Sequence, residues 1–151
     1  MMDKNQKEKL YKEATAFYEL AEYGRLNIPE KKNVESFIPY IVNMTFAVEL
    51  YLKLLLIDNG NSIDAVKKIG HELSALYETL TQSQKDVIYQ SFKRPFIYSI
   101  PVELQKINTA FVDWRYLVLN NANGSRKKLK VTPYFLKEFS DILSAMCTEI
   151  L

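Results

Sequence analysis

A carboxylate and an ammonium group lie four residues apart inside the most apolar stretch of the sequence, 46–57. Glu49 precedes Lys53, and this order favours a salt bridge along one face of a helix. Because charged groups are costly to bury, each of them needs a partner. Arg115, whose planar guanidinium fits both carboxylates and phosphates, is a candidate partner from another helix. The sequence leaves two interpretations open: an ion pair that holds two helices in register, or a Glu49 that orients Arg115 towards a phosphate in a cleft.

Two more polar residues could join this chemistry. His71 follows Gly70 and is predicted to open a short helix, where it would bond the backbone or a neighbouring carboxylate. Asn120 follows Arg115 near the predicted end of the same helix, where asparagine is a common terminator. An amide can hydrogen-bond a phosphate or a base, but it cannot accept a proton near neutral pH. Neither residue identifies a catalytic site by itself.

A basic run and an aromatic segment are the candidate surfaces for a nucleic acid. The run follows the predicted Arg115 helix across a Gly-containing loop and comprises Arg126, Lys127, Lys128 and Lys130. Such runs usually face solvent, but this one could also follow an RNA backbone. The segment between Pro95 and Pro101 is predicted to be an extended loop that exposes Phe96 and Tyr98. These rings could stack on bases, dock on the bundle itself, or contact a second copy of the chain.

The residue counts exclude several kinds of chemistry. One histidine and one cysteine cannot assemble a tetrahedral zinc site within one chain. His71-Glu72 begins like a zinc-protease motif, but Ala75 stands where the second histidine must be. The four glycines are isolated, so neither a phosphate-cradling loop nor a dinucleotide fingerprint is present. We therefore expect neither a metal nor an organic cofactor, and we expect Cys147 to be a packed thiol.

Charge and hydropathy indicate a soluble, cytoplasmic protein. A net charge of about +2 gives no general affinity for polyanions. The N-terminal residues are polar and lack the apolar core of a signal peptide. The stretch 46–57 is too short to span a bilayer and carries two charged residues. A single cysteine suits a reducing compartment.

Apolar residues recur at helical spacing through most of the chain, and no linker or repeat divides it. A chain of 151 residues with four glycines and five prolines has few breakers, which favours long helices in a single domain, 1–151. The stripes predict an all-α fold of four main helices and two short ones, packed as an antiparallel up-and-down bundle. The main helices are predicted over 4–26, 36–57, 104–120 and from 133 onward, and the short ones over 62–69 and 71–80.

Local signals mark several helix ends. Ser62 is predicted to cap one short helix, and Gly70 to end it in the left-handed conformation. Thr81 begins a capping box that predicts a further helical segment over 82–92. Thr132 followed by Pro133 predicts the cap and the first residue of the fourth main helix.

Three segments, in this order and spacing, resemble the HEPN family. They are the apolar run 46–56 with its Glu and Lys, the element Gly70-His71-Glu72-Leu73, and Trp114-Arg115-Tyr116 on the third main helix. The match extends over roughly 37–120, and the flanking helices fit the same bundle. The resemblance implies a helical bundle that forms a homodimer.

Many HEPN proteins are metal-independent endoribonucleases of toxin–antitoxin, phage-defence or RNA-processing systems. In these proteins an arginine is followed a few residues later by a histidine, and two protomers bring two such motifs together at a cleft. The ribose 2′-hydroxyl attacks the adjacent phosphate, the histidine transfers the proton, and the arginine holds the phosphoryl charge. Here Asn120 stands after Arg115 where the family has histidine. The resemblance therefore favours a non-catalytic branch that binds RNA or a nucleotide.

On this basis we expect a homodimer that binds RNA or a nucleotide through an Arg115-centred cleft in a toxin–antitoxin or phage-defence setting. A nucleotidyltransferase-type antitoxin is a candidate partner. One alternative is a metal-independent endoribonuclease that uses Arg115, Asn120 and Glu49, with His71 in place of the missing histidine. A second alternative is a non-catalytic protein-interaction domain. The other residues expected to contact the ligand are Lys53, Tyr116, His71, Arg126, Lys127 and Lys128.

Overall fold

The computed structural model describes residues 2–27, 37–108 and 132–151. Within those ranges the chain forms seven α-helices, one 3₁₀ turn and no β-strand, which confirms the predicted all-helical fold. The helices are α1 Lys4–Leu26, α2 Ile38–Asp58, α3 Ile63–Ile69, α4 Leu73–Thr79, α5 Gln82–Ser91, α6 Ile100–Lys106 and α7 Pro133–Glu149. The 3₁₀ turn, Pro95–Ile97, lies between α5 and α6. Helices α3 and α4 lie where the two short helices were predicted, and α5 lies in the further helical segment predicted over 82–92. Helix α6 was not predicted as a separate helix.

Helix α2 is the centre of the core, as its apolar composition predicts. Fourteen of its 21 residues are buried, and Pro39 lies in its first turn, where no backbone donor is lost. Among the described helices it is the one long and apolar enough to cross a membrane by length and composition. However, 78% of that apolar window is buried inside the protein. This burial is typical of the core helix of a bundle.

Contacts along their lengths fix the directions of the three long helices. Lys7 near the start of α1 pairs with Asp58 at the end of α2, with 2.6 Å between the Lys7 Nζ and Asp58 Oδ1 atoms. Further along α1, the ring of Phe17 packs edge-on against Phe46, which lies earlier in α2. The two helices are therefore antiparallel.

Helix α7 runs antiparallel to α1 by the same reasoning. Tyr11 shares a 3.0 Å hydrogen bond with the Thr148 hydroxyl, and the Tyr18 hydroxyl donates to Asp141 Oδ1 at 2.5 Å. Helices α2 and α7 are consequently parallel, which is the arrangement that an up-and-down bundle gives its second and fourth helices. The Cys147 thiol on α7 is buried as predicted, and it donates to the Tyr51 carbonyl on α2 at a distance of 3.6 Å.

The predicted caps of α3 and α5 are confirmed. The Ser62 hydroxyl accepts from the Ala65 N–H at 3.1 Å, and Thr81 and Gln84 bond each other's backbone N–H groups reciprocally. Gly70 ends α3 with a positive φ of 79°, but its ψ of −131° lies outside the left-handed helical region that was predicted. This backbone conformation favours glycine.

Two predictions for the chain after α5 are wrong. The segment Pro95–Ile97 forms a 3₁₀ turn rather than an extended loop, and Pro101 lies in the first turn of α6 instead of closing that loop. Helix α6 also ends at Lys106, so no single helix continues from 104 to 120. A proline's fixed φ suits a first helical turn as well as a loop, and here it starts a short helix. Residues 109–131, which hold the rest of the predicted third main helix, lie outside the described residues.

Helix α7 begins at Pro133 as predicted, but its cap differs. The Thr132 hydroxyl does not accept from the helix; it donates instead to Glu103 Oε2 at 2.7 Å. This bond turns the Thr132 hydroxyl towards α6, and no side-chain cap forms at the start of α7.

Tyr40 gives a prediction for alkaline pH. Its hydroxyl is the one buried side-chain polar atom in the described parts of the chain without a hydrogen-bond partner, and burial raises the pKa of Tyr40 to about 12. An unfolded tyrosine ionises near pH 10, so the unfolded state binds fewer protons than the folded state between about pH 10 and 12. Stability therefore falls as the pH rises through this window, by up to roughly 1.4 kcal/mol per pH unit.

We expect Tyr40→Phe to remove most of this Tyr40 contribution while changing the stability at pH 7 by no more than about 0.5 kcal/mol. Urea unfolding at a series of pH values measures both effects. Cys147, whose pKa is raised by burial, adds a loss of the same sign and is present in both proteins. Equal pH slopes for Tyr40→Phe and the parent would contradict the assignment.

Candidate functional site

A buried carboxylate holds two basic side chains from different parts of the chain. Glu49 on α2 has a side chain that is only 3% exposed. Its Oε1 atom accepts from Lys53 Nζ at 2.7 Å, and the His71 Nδ1 atom lies 2.9 Å from Oε1 and 3.1 Å from Oε2. The predicted Glu49–Lys53 pair is confirmed. Of the two kinds of partner that the sequence left open for His71, the backbone or a carboxylate, the structure shows a carboxylate. We call these three residues the Glu49 cluster.

The local structure explains how His71 reaches α2. Glu49 and Lys53 lie one helical turn apart and share a face of α2. His71 was predicted to open a helix, but α4 begins at Leu73, and His71 lies in the turn that follows Gly70. Because His71 lies outside α4, helical hydrogen bonds do not constrain its backbone. The turn can therefore direct the His71 imidazole towards Glu49 on α2.

Asn108 bonds the start of α4, the helix that follows this turn. Its Oδ1 atom accepts from the Ser74 backbone N–H at 2.7 Å, which satisfies one of the orphan donors at the start of α4. The contact joins residues 34 positions apart, on either side of α5 and α6. Sequence analysis missed Asn108, because nothing local to it indicates that it faces α4.

The geometry fixes how the imidazole is protonated at one nitrogen. An ionised carboxylate only accepts hydrogen bonds, so the His71 Nδ1 atom must carry the proton that it donates to Glu49. In the neutral ring this tautomer places the lone pair on Nε2. The His71 side chain is 61% exposed, whereas the Lys53 side chain is 17% exposed. The cluster therefore presents an oriented imidazole to solvent on a buried ion pair.

The other predicted site residues cannot be compared with the structure. They lie outside the described residues and are Arg115, Tyr116, Asn120, Arg126, Lys127 and Lys128. The predicted contact between Glu49 and Arg115 therefore stays a prediction. Of the nine predicted site residues, the structure brings together the three that it describes.

The aromatic residues between α5 and α6 divide into two groups. The Tyr98 ring packs against Phe92 and Phe135, with ring centroids 5.8 and 5.4 Å apart, so it docks on its own bundle. Phe96 is 81% exposed, as expected for a ring that contacts a base or a partner. Both outcomes were among the alternatives that the sequence left open.

No group of three or more metal-ligating side chains occurs in 2–27, 37–108 or 132–151. The Glu49 cluster contributes one carboxylate and one imidazole, and its third member is an ammonium group that repels cations.

Comparison with known proteins gives no assignment. No family model, no curated protein and no solved structure matches the chain.

Proposed function

We propose that this chain is a HEPN-type cytoplasmic module that binds RNA or a nucleotide, with the Glu49 cluster forming part of the phosphate site. The observation that carries the proposal is the buried Glu49 carboxylate that holds Lys53 and His71 at once. A carboxylate in this position orients both basic side chains. The Lys53 ammonium can then donate to a phosphate oxygen, and so can the His71 Nε2 atom in the imidazolium form. Arg115 is expected to complete the site, on the sequence resemblance alone.

The first test is binding of a fluorescein-labelled single-stranded RNA, followed by fluorescence anisotropy without added metal. We expect Arg115→Ala to weaken binding at least about tenfold, because a guanidinium–phosphate contact is charge-assisted and bidentate. Arg25→Ala is the matched control, since Arg25 pairs with Glu22 on α1 and lies outside the cluster; it should change affinity less than about twofold. Affinity should also fall as salt rises, because bound phosphates release counterions.

Two outcomes of this experiment would contradict the proposal. One is equal affinity of the parent and Arg115→Ala for RNA and for a mononucleotide. The other is no binding of either ligand, which would favour the protein-interaction domain. Light scattering of the same samples tests the proposed homodimer.

A second candidate function is a metal-independent endoribonuclease, and the Glu49–His71 contact favours it. In this mechanism the His71 Nε2 atom takes the proton from the ribose 2′-hydroxyl, as an imidazole oriented by a carboxylate can. A bond forms between O2′ and phosphorus while the bond from phosphorus to O5′ breaks, and the leaving O5′ takes a proton from water. The products are a 2′,3′-cyclic phosphate and a 5′-hydroxyl end. Neither a metal nor Asn120 is needed for the proton transfer.

His71→Gln separates the two functions, because glutamine keeps a hydrogen-bond donor but cannot transfer a proton near neutral pH. For an endoribonuclease we expect this variant to lose at least about 100-fold in cleavage rate while RNA affinity changes less than about threefold. Gel electrophoresis of labelled RNA in the presence of a chelator measures the cleavage. Binding without cleavage by the parent would exclude the enzyme and leave the binding module.

A further inference from the structure

A groove of about 820 Å³ lies between α5, the 3₁₀ turn and α7. Its volume falls in the range of sites for small organic ligands, roughly 300–1,000 Å³. The apolar part of its lining comes from Val87, Ile97, Tyr98, Ile142 and Met146. The residues of the Glu49 cluster are not part of the lining, so the groove is separate from the proposed phosphate site.

Two adjacent cations line this groove. Lys93 and Arg94 are both exposed, and neither side chain has an ion-pair partner among the residues that the structure describes. Their backbone is nevertheless anchored, because the Lys93 N–H donates to Glu138 Oε1 on α7 at 2.6 Å. Pro95, with its fixed φ, follows directly and begins the 3₁₀ turn. The guanidinium is therefore carried on a backbone that is already positioned beside the groove.

Two of the carboxylates in the groove already accept hydrogen bonds from other groups of the protein. Three line it: Glu138, Asp141 and Glu149. Glu138 accepts the backbone bond just described, and Asp141 accepts from Lys137 Nζ at 2.6 Å and from the Tyr18 hydroxyl at 2.5 Å. Glu149 is the one carboxylate in this lining without such a bond. Because the Lys137 charge is already paired with Asp141, the unpaired charges of the groove are the adjacent cations Lys93 and Arg94 and the carboxylates Glu138 and Glu149.

Aromatic rings lie at two places along the groove. The Tyr98 ring is held by its contacts with Phe92 and Phe135, so it offers a fixed planar surface. Tyr134, at the start of α7, is 83% exposed. Flat aromatic ligands gain from offset or edge contacts with such rings in addition to the area that they bury.

We propose that this groove binds a small organic anion with a flat aromatic body. The body lies on the apolar floor beside Tyr98, and the anionic group bonds Arg94, with Lys93 as a second contact. Arg94 is better suited than a lysine to hold a carboxylate, sulfonate or phosphate, because its forked donors can bond two oxygens of the group at once. The negative charges of Glu138 and Glu149 in the lining disfavour ligands with several anionic groups.

The test compares two fluorescent probes with the same ring system, anilinonaphthalene sulfonate and its uncharged analogue phenylnaphthylamine. In the folded protein we expect both to bind, the sulfonate more tightly. The double variant Lys93→Ala/Arg94→Ala should weaken sulfonate binding about tenfold and change the affinity of the uncharged probe less than about twofold. Ala145→Trp, at an exposed residue of the lining, should weaken both probes by filling the groove.

Lys12→Ala on α1 is the control for loss of positive charge outside the groove and should leave both probes unchanged. Circular dichroism and urea unfolding verify that each variant is folded. Equal losses of the two probes in the double variant would overturn the assignment of the anion to Arg94. Unchanged binding in Ala145→Trp would place the probes elsewhere and overturn the groove as the site. An increase in molecular mass with protein concentration, lost in Ala145→Trp, would instead identify a second copy of the chain as the occupant.

Discussion

Replacing Glu49 with alanine is expected to lower the free energy of unfolding by about 3 kcal/mol. The change leaves the Lys53 ammonium, which is mostly buried, without the carboxylate that it contacts at 2.7 Å. It also removes the acceptor of the His71 Nδ1 proton. Removing one partner of a buried ion pair destabilises strongly, because the remaining charge stays desolvated. Urea unfolding measured by circular dichroism gives the difference.

Two further variants test the reason for this loss. Glu78→Ala removes the carboxylate of a surface pair with Lys85 and should cost no more than about 1 kcal/mol. Glu49→Leu combined with Lys53→Met replaces the pair by apolar side chains of similar size, and it should recover most of the stability that Glu49→Ala loses. If the double variant is as unstable as Glu49→Ala, the loss does not come from an unpaired Lys53.

Replacing Phe139 with alanine is expected to cost about 3–5 kcal/mol of stability. Phe139 is fully buried on α7, and its ring stacks with Phe92 and Phe135 at centroid distances of 6.4 and 5.3 Å. The substitution removes this apolar area and leaves a cavity in a stack whose other two rings lie at the end of α5 and on α7. Thermal or urea unfolding gives the size of the effect.

Tyr134→Ala is the matched control on the same helix, because it removes an aromatic ring that is mostly exposed. It should change the stability by no more than about 0.5 kcal/mol. A loss of similar size in both variants would mean that the effect comes from the helix α7 itself and not from the aromatic stack.

Helix ends that depend on neighbouring residues could be predicted from the sequence. Helix α1 begins and ends where its apolar stripe predicts, and α5 begins where the capping box of Thr81 and Gln84 places it. In both cases the residues that indicate the helix end lie within one or two helical turns of that end. Such contacts join residues that are close in the sequence, so a local sequence pattern can predict them.

Ends that depend on distant residues could not be predicted. The Thr132 hydroxyl bonds Glu103, which is 29 residues away, and this bond replaces the local cap. His71 bonds Glu49, which is 22 residues away in the sequence. It follows Gly70, whose ψ angle no sequence motif predicts. The Glu49–Lys53 pair was predictable because its spacing is one helical turn, whereas the position of His71 depends on how α3 and α4 pack on α2.

The hydrogen bonds between α1 and α7 bear on the order in which the chain folds during synthesis. Tyr11 and Thr148 are 137 residues apart, while α1 and α2 follow each other closely and can pair early as a helical hairpin. Closing long loops is slow, so α7 is expected to dock late. Until it does, the face of α2 that α7 covers stays in water while the ribosome is still translating. That face is apolar, and we expect it to be the part of the nascent chain that chaperones bind.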